Sequence, residues 1–458
     1  MASSPEAFQA AMEVFRRGSP GDAVARFDQV LASQPGHVAA QHFKGYALCQ
    51  LGRFDEGLPL LERSLAAEPR NPTFNANLGT IRYVMGDIPA AIAVLERTVR
   101  IAPTMPEPYA NLALALRESG DFDRALVAAR RAVQLRPAFP AARINLAMCL
   151  LSLSRWKEAW EAYPWRPDPR ANLRDMGLAM TVAHATTLPA PLQGAELTLH
   201  GDQGLGDVLF FIRFAAALRE RGARLRFWGD ERIGAILVRN GHVESATPAT
   251  APAPAGPDSH RLWLAELPSL LGAAESFPAP VRLVPLPGRV QAWREKLAAS
   301  GPGPYTAITW RAGLPRSGKA VLSKAVDPAA LGAALHACPG SVVSVQRDPA
   351  PAEAAAFAAA LGKPVADLGA ANADLEDMLA LMDAVDEYVC VSNTNLHLRA
   401  GLAKAARVLV PWPPEWRWTR DSPRSPWFPE FPLYRARGDA TWDEALARLA
   451  ADLAPGAP

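Results

Sequence analysis

Small and bulky positions return at a fixed interval through the first third of the chain. Ala23, Gly57, Ala91, Ala125 and Ala159 stand 34 residues apart, and four residues after each comes Phe27, Leu61, Leu95, Ala129 and Tyr163. Twelve residues before the last four, another small residue recurs in Gly45, Gly79, Ala113 and Ala147; twelve residues after the first four stand Pro35, Pro69, Pro103 and Pro137. Gly52-Arg53 and Gly86-Asp87 occupy the same turn position in successive repeats. This pattern predicts helix pairs: the small residues let two helices approach closely, and the proline cannot continue the second helix. After residue 165 the period changes. ELTLH (196–200) reads as a buried strand, GDQGLGD (201–207) as a glycine turn, residues 208–222 as a helix and RLRFWG (224–229) as a second strand. Strand, turn, helix and strand make a βαβ unit, hence a parallel sheet. RLWLAELPSLLG (261–272) continues it, after an Ala/Pro-rich stretch at 247–259 that reads as a mobile loop.

A second set of units begins at YTAITWRAG (305–313), after PLPGRV (285–290) marks the passage between two lobes. Helices near 327–338 and 351–361 alternate with GSVVSVQ (340–346) and with the helix–strand segment 375–392. ARVLVPW (406–412) reads as the last clear strand, and residues 441–453 as an amphipathic closing helix. Two Rossmann-like lobes with a cleft between them are the natural assembly, with ligands outside the carboxyl ends of the strands. EAWEAYPWRPDPR (158–170) reads as a packed aromatic junction before them.

The 34-residue step with its small, bulky and proline positions resembles the tetratricopeptide repeat. About five repeats imply a right-handed solenoid with a concave groove, serving as a peptide or protein docking surface, a spacer or a dimerisation face. Asn77, Asn111 and Asn145 share one register, each followed by Leu. Such a ladder suits the backbone of an extended peptide, and it equally suits packing between helices.

Composition narrows the picture. The chain has 458 residues, 49% hydrophobic, with a net charge of +2. That excludes a wholly disordered chain and gives no global reason to expect nucleic acid as partner. Cys49, Cys149, Cys338 and Cys390 lie far apart and form no zinc or disulfide framework, so a cytoplasmic location is expected. No leader pattern opens the sequence and no run of 18 apolar residues occurs, so no membrane span is expected.

Four segments of the second half carry candidate chemistry. Gly204 and Gly206 let the backbone turn closely about a ligand, and Asp207 stands at a helix start, as a cap or as a reactive carboxylate. Arg311 follows a strand, with Arg316, Ser317, Lys319, Ser323 and Lys324 after it; such a loop suits a diphosphate or is simply solvated. Asn393, Thr394, Asn395 and His397 gather at a helix N-terminus, which suits phosphate. Around Pro411–Trp418, the aromatics suit a nucleobase or an internal clamp, and Glu415 suits ribose hydroxyls.

On these segments the second half, about residues 150–455, resembles the heptosyltransferase-like branch of GT-B glycosyltransferases, found fused to tetratricopeptide repeats. GLGDVLFFIRFAAAL is similar to the family's Gly-Asp-helix opening, TWRAG to the strand end before the donor phosphates, and VSNTNLHLRAGL to its phosphate-binding Asp-Thr-(Gly/Ala)-x-x-His-Leu-Ala segment. Asn393 replaces that aspartate, and the turn up to His397 is shorter. The resemblance implies a multidomain chain: an all-α tetratricopeptide solenoid (1–165), a linker (166–192), and an α/β GT-B module of two Rossmann-like lobes (193–288 and 289–458). It implies an inverting glycosyltransferase with Asp207 as general base. Gly204, Gly206, Arg311, Lys324, Asn393, Thr394, Asn395, His397 and Glu415 would bind a nucleotide-sugar donor. Asn77, Asn111 and Asn145 would dock a protein acceptor, glycosylated at Ser or Thr. No cofactor or metal is expected, and a homo-oligomer is compatible with this reading. A glycan or lipid-linked acceptor, or a non-catalytic adaptor, are the alternatives.

Overall fold

The computed structural model describes residues 4–165, 185, 187–201, 204–251, 259–313, 324–438 and 441–456. These form two compact units, one of the described residues up to Leu146 and one of those from Ala147 onward. Asp202, Gln203, Arg316, Ser317, Lys319 and Ser323, with most of the expected linker and the middle of the 247–259 loop, lie outside the described residues.

The first unit is all-helical. Pro20–Ser33, Val38–Gln50, Phe54–Ala67, Pro72–Val84, Ile88–Ile101, Pro106–Glu118 and Phe122–Leu135 follow one another with short turns. The second helix of each pair ends two residues before Pro35, Pro69, Pro103 or Pro137, as the sequence predicts. Small residues sit where backbones touch: a Cβ on Gly57 would lie 2.5 Å from the Gly45 carbonyl oxygen, and one on Gly45 2.7 Å from the Gly57 oxygen. Left-handed turn residues recur every 34 positions at Gly18, Gly52, Gly86 and Gly120, with φ from 78° to 84°, and the fifth is Ser154 at 58°. Only two of these five turns stand out in the sequence reading.

The second unit holds two parallel sheets. The first runs in the order β3-β2-β1-β4, with β1 Glu196–His200, β2 Arg224–Gly229, β3 Ser245–Pro248 and β4 Ser259–Trp263. The second runs β10-β9-β8-β5-β6-β7, with β5 Tyr305–Thr309, β6 Ser341–Ser344, β7 Ala366–Asp367, β8 Glu387–Val391, β9 Arg407–Val410 and β10 Leu433–Arg435. Counted within this sheet, the order is 6-5-4-1-2-3, that of a doubly wound α/β domain. Its strands read as apolar runs because helices cover both faces; Val389, Cys390 and Val391 are fully buried.

Three elements differ from the expectation. Residues 247 and 248 belong to β3, an edge strand, where Pro248 is tolerated because no ladder hydrogen bond is lost. Strand β10 follows β9, so the latter is not the last; three residues are too few to show an alternating pattern. The expected helix 208–222 is broken: Leu205–Phe211 and Ala216–Glu220 flank a 3-10 turn at Ile212–Ala215, where Arg213 Nε donates to the Phe210 carbonyl at 2.9 Å. The segment 285–290 opens the helix Pro287–Ser300, with Pro287 in its first turn.

Trp156 and Trp160, on the short helix Trp156–Ala162, belong to the second unit. They meet Trp416, Trp427, Phe211 and Phe277 edge-on, with centroids 5.3 to 6.4 Å apart. Of the aromatic junction expected at 158–170, Trp160 and Tyr163 pack in this cluster, while residues 166–170 lie outside the described residues. Trp416 and Trp427 are buried in the cluster and Trp418 is buried against Phe428, so packing is the role these three indoles fill.

Candidate functional site

In a doubly wound sheet the crevice opens where the strand order reverses, between the first and fourth strands. Here those are β5 and β8, paired in parallel. The chain leaving β5 is Trp310-Arg311-Ala312-Gly313, and that leaving β8 is Ser392-Asn393-Thr394. Both line a cavity of ≈ 330 Å³. The turn after β1 supplies Gly204, Leu205, Gly206 and Asp207 to the same cavity. The residues expected as base and donor contacts line it: Gly204, Gly206, Asp207, Arg311, Lys324, Asn393, Thr394, Asn395, His397 and Glu415.

Local bonding assigns these residues different work. Asn393 is the N-cap of the helix Thr394–Gly401: its Oδ1 accepts from Leu396 N at 3.1 Å and from the Tyr388 hydroxyl at 3.1 Å. The amides of Thr394 and Asn395 are left without intrahelical acceptors, as first-turn amides are. Asn395 is buried and donates to Asn372 Oδ1 at 3.2 Å. A Cβ on Gly206 would lie 3.2 Å from His397 Cδ2 and 3.6 Å from Thr394 Cα, so glycine there lets the β1 turn approach this helix.

Arg311 lines the cavity, but its guanidinium is committed elsewhere. It donates to both Glu353 carboxylate oxygens, to Gly313 O at 3.0 Å and to Asp348 O at 2.6 Å. Its chemistry here is to hold the loop after β5, together with buried Gln346, whose Oε1 accepts from Trp310 N and Arg311 N. The expected direct contact from this guanidinium to a ligand is therefore replaced by a positioning role. Lys324 is brought back beside β5 by an antiparallel bridge between Arg311 and Ala325.

The charged groups are paired within the cavity wall. Lys324 Nζ is ion-paired with Glu415 Oε1, and Arg417 Nη2 with Asp207 Oδ1. Arg417 lies over Phe210 and Trp416, its Cζ 4.5 and 4.4 Å from the ring centroids. Burial acts to raise the Glu415 carboxyl, but Lys324 and Arg417 outweigh it and hold it below the usual range. His397 is buried between Phe210 and Phe428. Burial, then the charges of Arg417, Arg213 and Lys324, push its imidazole well below the ordinary value, so the ring is neutral. Two buried polar atoms on this wall have no partner: Arg417 Nε and His397 Nδ1.

Sequence reasoning missed Arg417 as a charge, although it sits inside the PPEWRW segment singled out for its aromatics. Gln346 and Asn372 were missed too; Gln346 follows β6, and its place near the carboxyl end of a strand was the available signal.

In the first unit the asparagines are engaged between helices. Asn77 Nδ2 donates to His42 Nε2 at 3.0 Å, Asn111 Nδ2 to Thr80 Oγ1 at 2.9 Å, and Asn145 Nδ2 to Ala110 O at 2.9 Å. The amide donors of the ladder thus serve repeat-to-repeat packing, the second of the two roles its register suited.

Residues 8–56 and 44–106 match the family described as Tetratricopeptide repeat, and residues 84–164 that described as Anaphase-promoting complex, cyclosome, subunit 3. The N-terminal region is therefore built of tetratricopeptide repeats. Protein FlbA of Caulobacter vibrioides is 27% identical over 335 residues, covering 66% of this chain and 53% of that protein. The chain spans about half the length of this curated relative. The share of this chain that is matched exceeds residues 8–164, so the similarity runs on into the second unit. Among solved structures, a thermophilic TPR protein of Thermus thermophilus has a TM-score of 0.34 at 20% identity, covering 38% of this chain and 98% of that one. Pseudomonas aeruginosa pilF has a TM-score of 0.34 at 16% identity, covering 37% and 80%. MamA has 0.30 at 18% identity, covering 34% and 91%. Among the described residues no helix is long and apolar enough to cross a membrane.

Proposed function

We propose that the second unit is a GT-B-type glycosyltransferase that uses a nucleotide-sugar donor, and that the repeats present a protein acceptor to it. One observation carries the reading: nine residues picked from separate segments for donor binding, and Asp207 picked as the base, converge on one cavity at the carboxyl ends of β1, β5 and β8. Lys324, Arg417 and the first-turn amides of the helix Thr394–Gly401 supply what a diphosphate needs, cations and N–H donors. The neutral His397 can donate a hydrogen bond to a phosphoryl oxygen or accept one from a hydroxyl. Tetratricopeptide repeats suggest protein–protein interaction, which supports an acceptor that is itself a protein.

In this reading the Asp207 carboxylate takes the proton from an acceptor Ser or Thr hydroxyl. The oxygen attacks the anomeric carbon as the bond to the diphosphate breaks, and the electron pair leaves on the diphosphate, stabilised by Lys324 and Arg417. The test is release of nucleoside diphosphate from a panel of nucleotide sugars. The chain is expected to release it from at least one, and Asp207→Ala to slow this by about 100-fold or more. Unchanged turnover in Asp207→Ala removes Asp207 as the base. A non-catalytic adaptor is the second reading, favoured by the ion pairs that already occupy Asp207 and Lys324; failure of every nucleotide sugar to turn over or to raise the melting temperature decides for it.

A further inference from the structure

We infer that Arg417 is the inner anion-binding residue of the cavity, and that Asp207 is its resident counter-ion, displaced when a diphosphate binds. The inference rests on the reading of this cavity as a diphosphate site. Arg417 is 8% exposed, and its guanidinium is fixed by Phe210 and Trp416 rather than by a fork of hydrogen bonds. One nitrogen holds Asp207, and Nε is buried with no acceptor. A buried guanidinium with an unused donor on a cavity wall is incomplete, because each unpaired buried N–H costs its lost hydration. The Asp207 side chain is much less buried than its partner, at 33% against 9%, so it can give up the contact into solvent while Arg417 cannot move out. The neighbouring pair has the opposite character. Glu415 is the more buried member and Lys324 the more exposed, at 13% against 33%. There the cation is free to swing to a ligand and the carboxylate stays.

The two pairs therefore open in different ways for the same ligand. An incoming diphosphate takes Arg417 from Asp207 and draws Lys324 from Glu415. The first exchange has a consequence for timing. Arg417 holds Asp207 Oδ1 until a diphosphate takes the guanidinium, so the carboxylate becomes available to an acceptor hydroxyl after the donor has bound.

The experiment uses the full chain and inorganic pyrophosphate as probe, with affinity read by calorimetry. Arg417→Gln is expected to weaken binding by about tenfold or more. Asp207→Asn removes the competitor and is expected to tighten binding by about threefold or more. The double variant should bind as weakly as Arg417→Gln alone, because the gain from Asp207→Asn acts through Arg417. If the Asp207→Asn gain persists in the Arg417→Gln background, it is a long-range field effect and the exchange is wrong; unchanged or weaker binding in Asp207→Asn overturns it too, as does failure of the unaltered chain to bind pyrophosphate. Should Arg417→Gln not fold, Arg417→Lys takes its place in the same cycle, and the gain should shrink because an ammonium does not stack on Phe210 and Trp416 as the planar guanidinium does. A chain that binds pyrophosphate with this coupling but turns over no nucleotide sugar sinks the transferase reading and leaves the exchange standing.

Discussion

His42 shows how one buried side chain fixes the pH response of the repeats. Its Nε2 accepts from Asn77, so Nδ1 carries the proton and faces Ser64 Oγ at 2.8 Å, while the Ser64 hydroxyl donates to Leu61 O. The ring also stacks on Phe74 with centroids 3.9 Å apart. Protonation would set a donor against the Asn77 amide, and burial lowers the pKa to about 3. The unfolded chain therefore takes up this proton first, near the ordinary imidazole value. Stability from His42 is complete above that value and is lost as pH falls toward 3, at up to about 1.4 kcal/mol per pH unit. Burial shifts His200 to about 3 and His397 in the same direction. Urea midpoints should drop from pH 7 to pH 5, with a shallower drop in His42→Gln; an identical drop would discharge His42 from the effect. Gly206 is the second residue-scale case. Gly206→Ala puts a methyl 3.2 Å from His397, and we expect a weaker response to nucleotide sugars in thermal-shift measurements with little loss of stability. An undiminished response would show that the approach of the β1 turn is not needed.

At the scale of elements, the turns between repeat helices carry a readable irregularity. Four of five use glycine at positive φ and the fifth uses Ser154. A non-glycine residue in that region costs about 1 kcal/mol. Ser154→Gly should therefore raise the unfolding free energy by up to about 1 kcal/mol and Gly86→Ala lower it by a similar amount, as read by denaturant titration. The repeat helices and the strands β1, β5, β8 and β9 are legible in the sequence because their signals are local: the 34-residue register, the proline stops and the apolar runs. What escaped was set by tertiary context. Strand β3 hides in an Ala/Pro-rich stretch because only an edge strand admits Pro248, and β10 is too short to show a period. Arg417 escaped because its neighbours read as aromatic packing, which they are, while its charge is used by Asp207, 210 residues away in the chain.

For the whole molecule, the boundary between the units matters. Trp156 and Trp160 lie in the cluster that buries Trp416 and Trp427. A chain beginning at Phe139, with the helix Pro140–Ser152 whole, should keep a cooperative melt of the second unit. One beginning at residue 166 loses both indoles and should melt well below it, since removing a single buried tryptophan side chain costs about 3–5 kcal/mol. Equal melting temperatures would show that the cluster closes without them. At this same scale, segments read one at a time for donor chemistry come together only because two parallel sheets bring their strand ends to one cavity. The sequence named the residues; the switch point between β5 and β8 explains why they meet.

The proposal that this cavity moves sugar onto protein is tested by mass spectrometry of cellular proteins with the intact chain, without it, and with Asp207→Ala. A glycosyl mass increment on Ser or Thr of at least one protein is expected, present only with the intact chain. Identical protein masses in all three would contradict it, as would an increment that Asp207→Ala leaves in place.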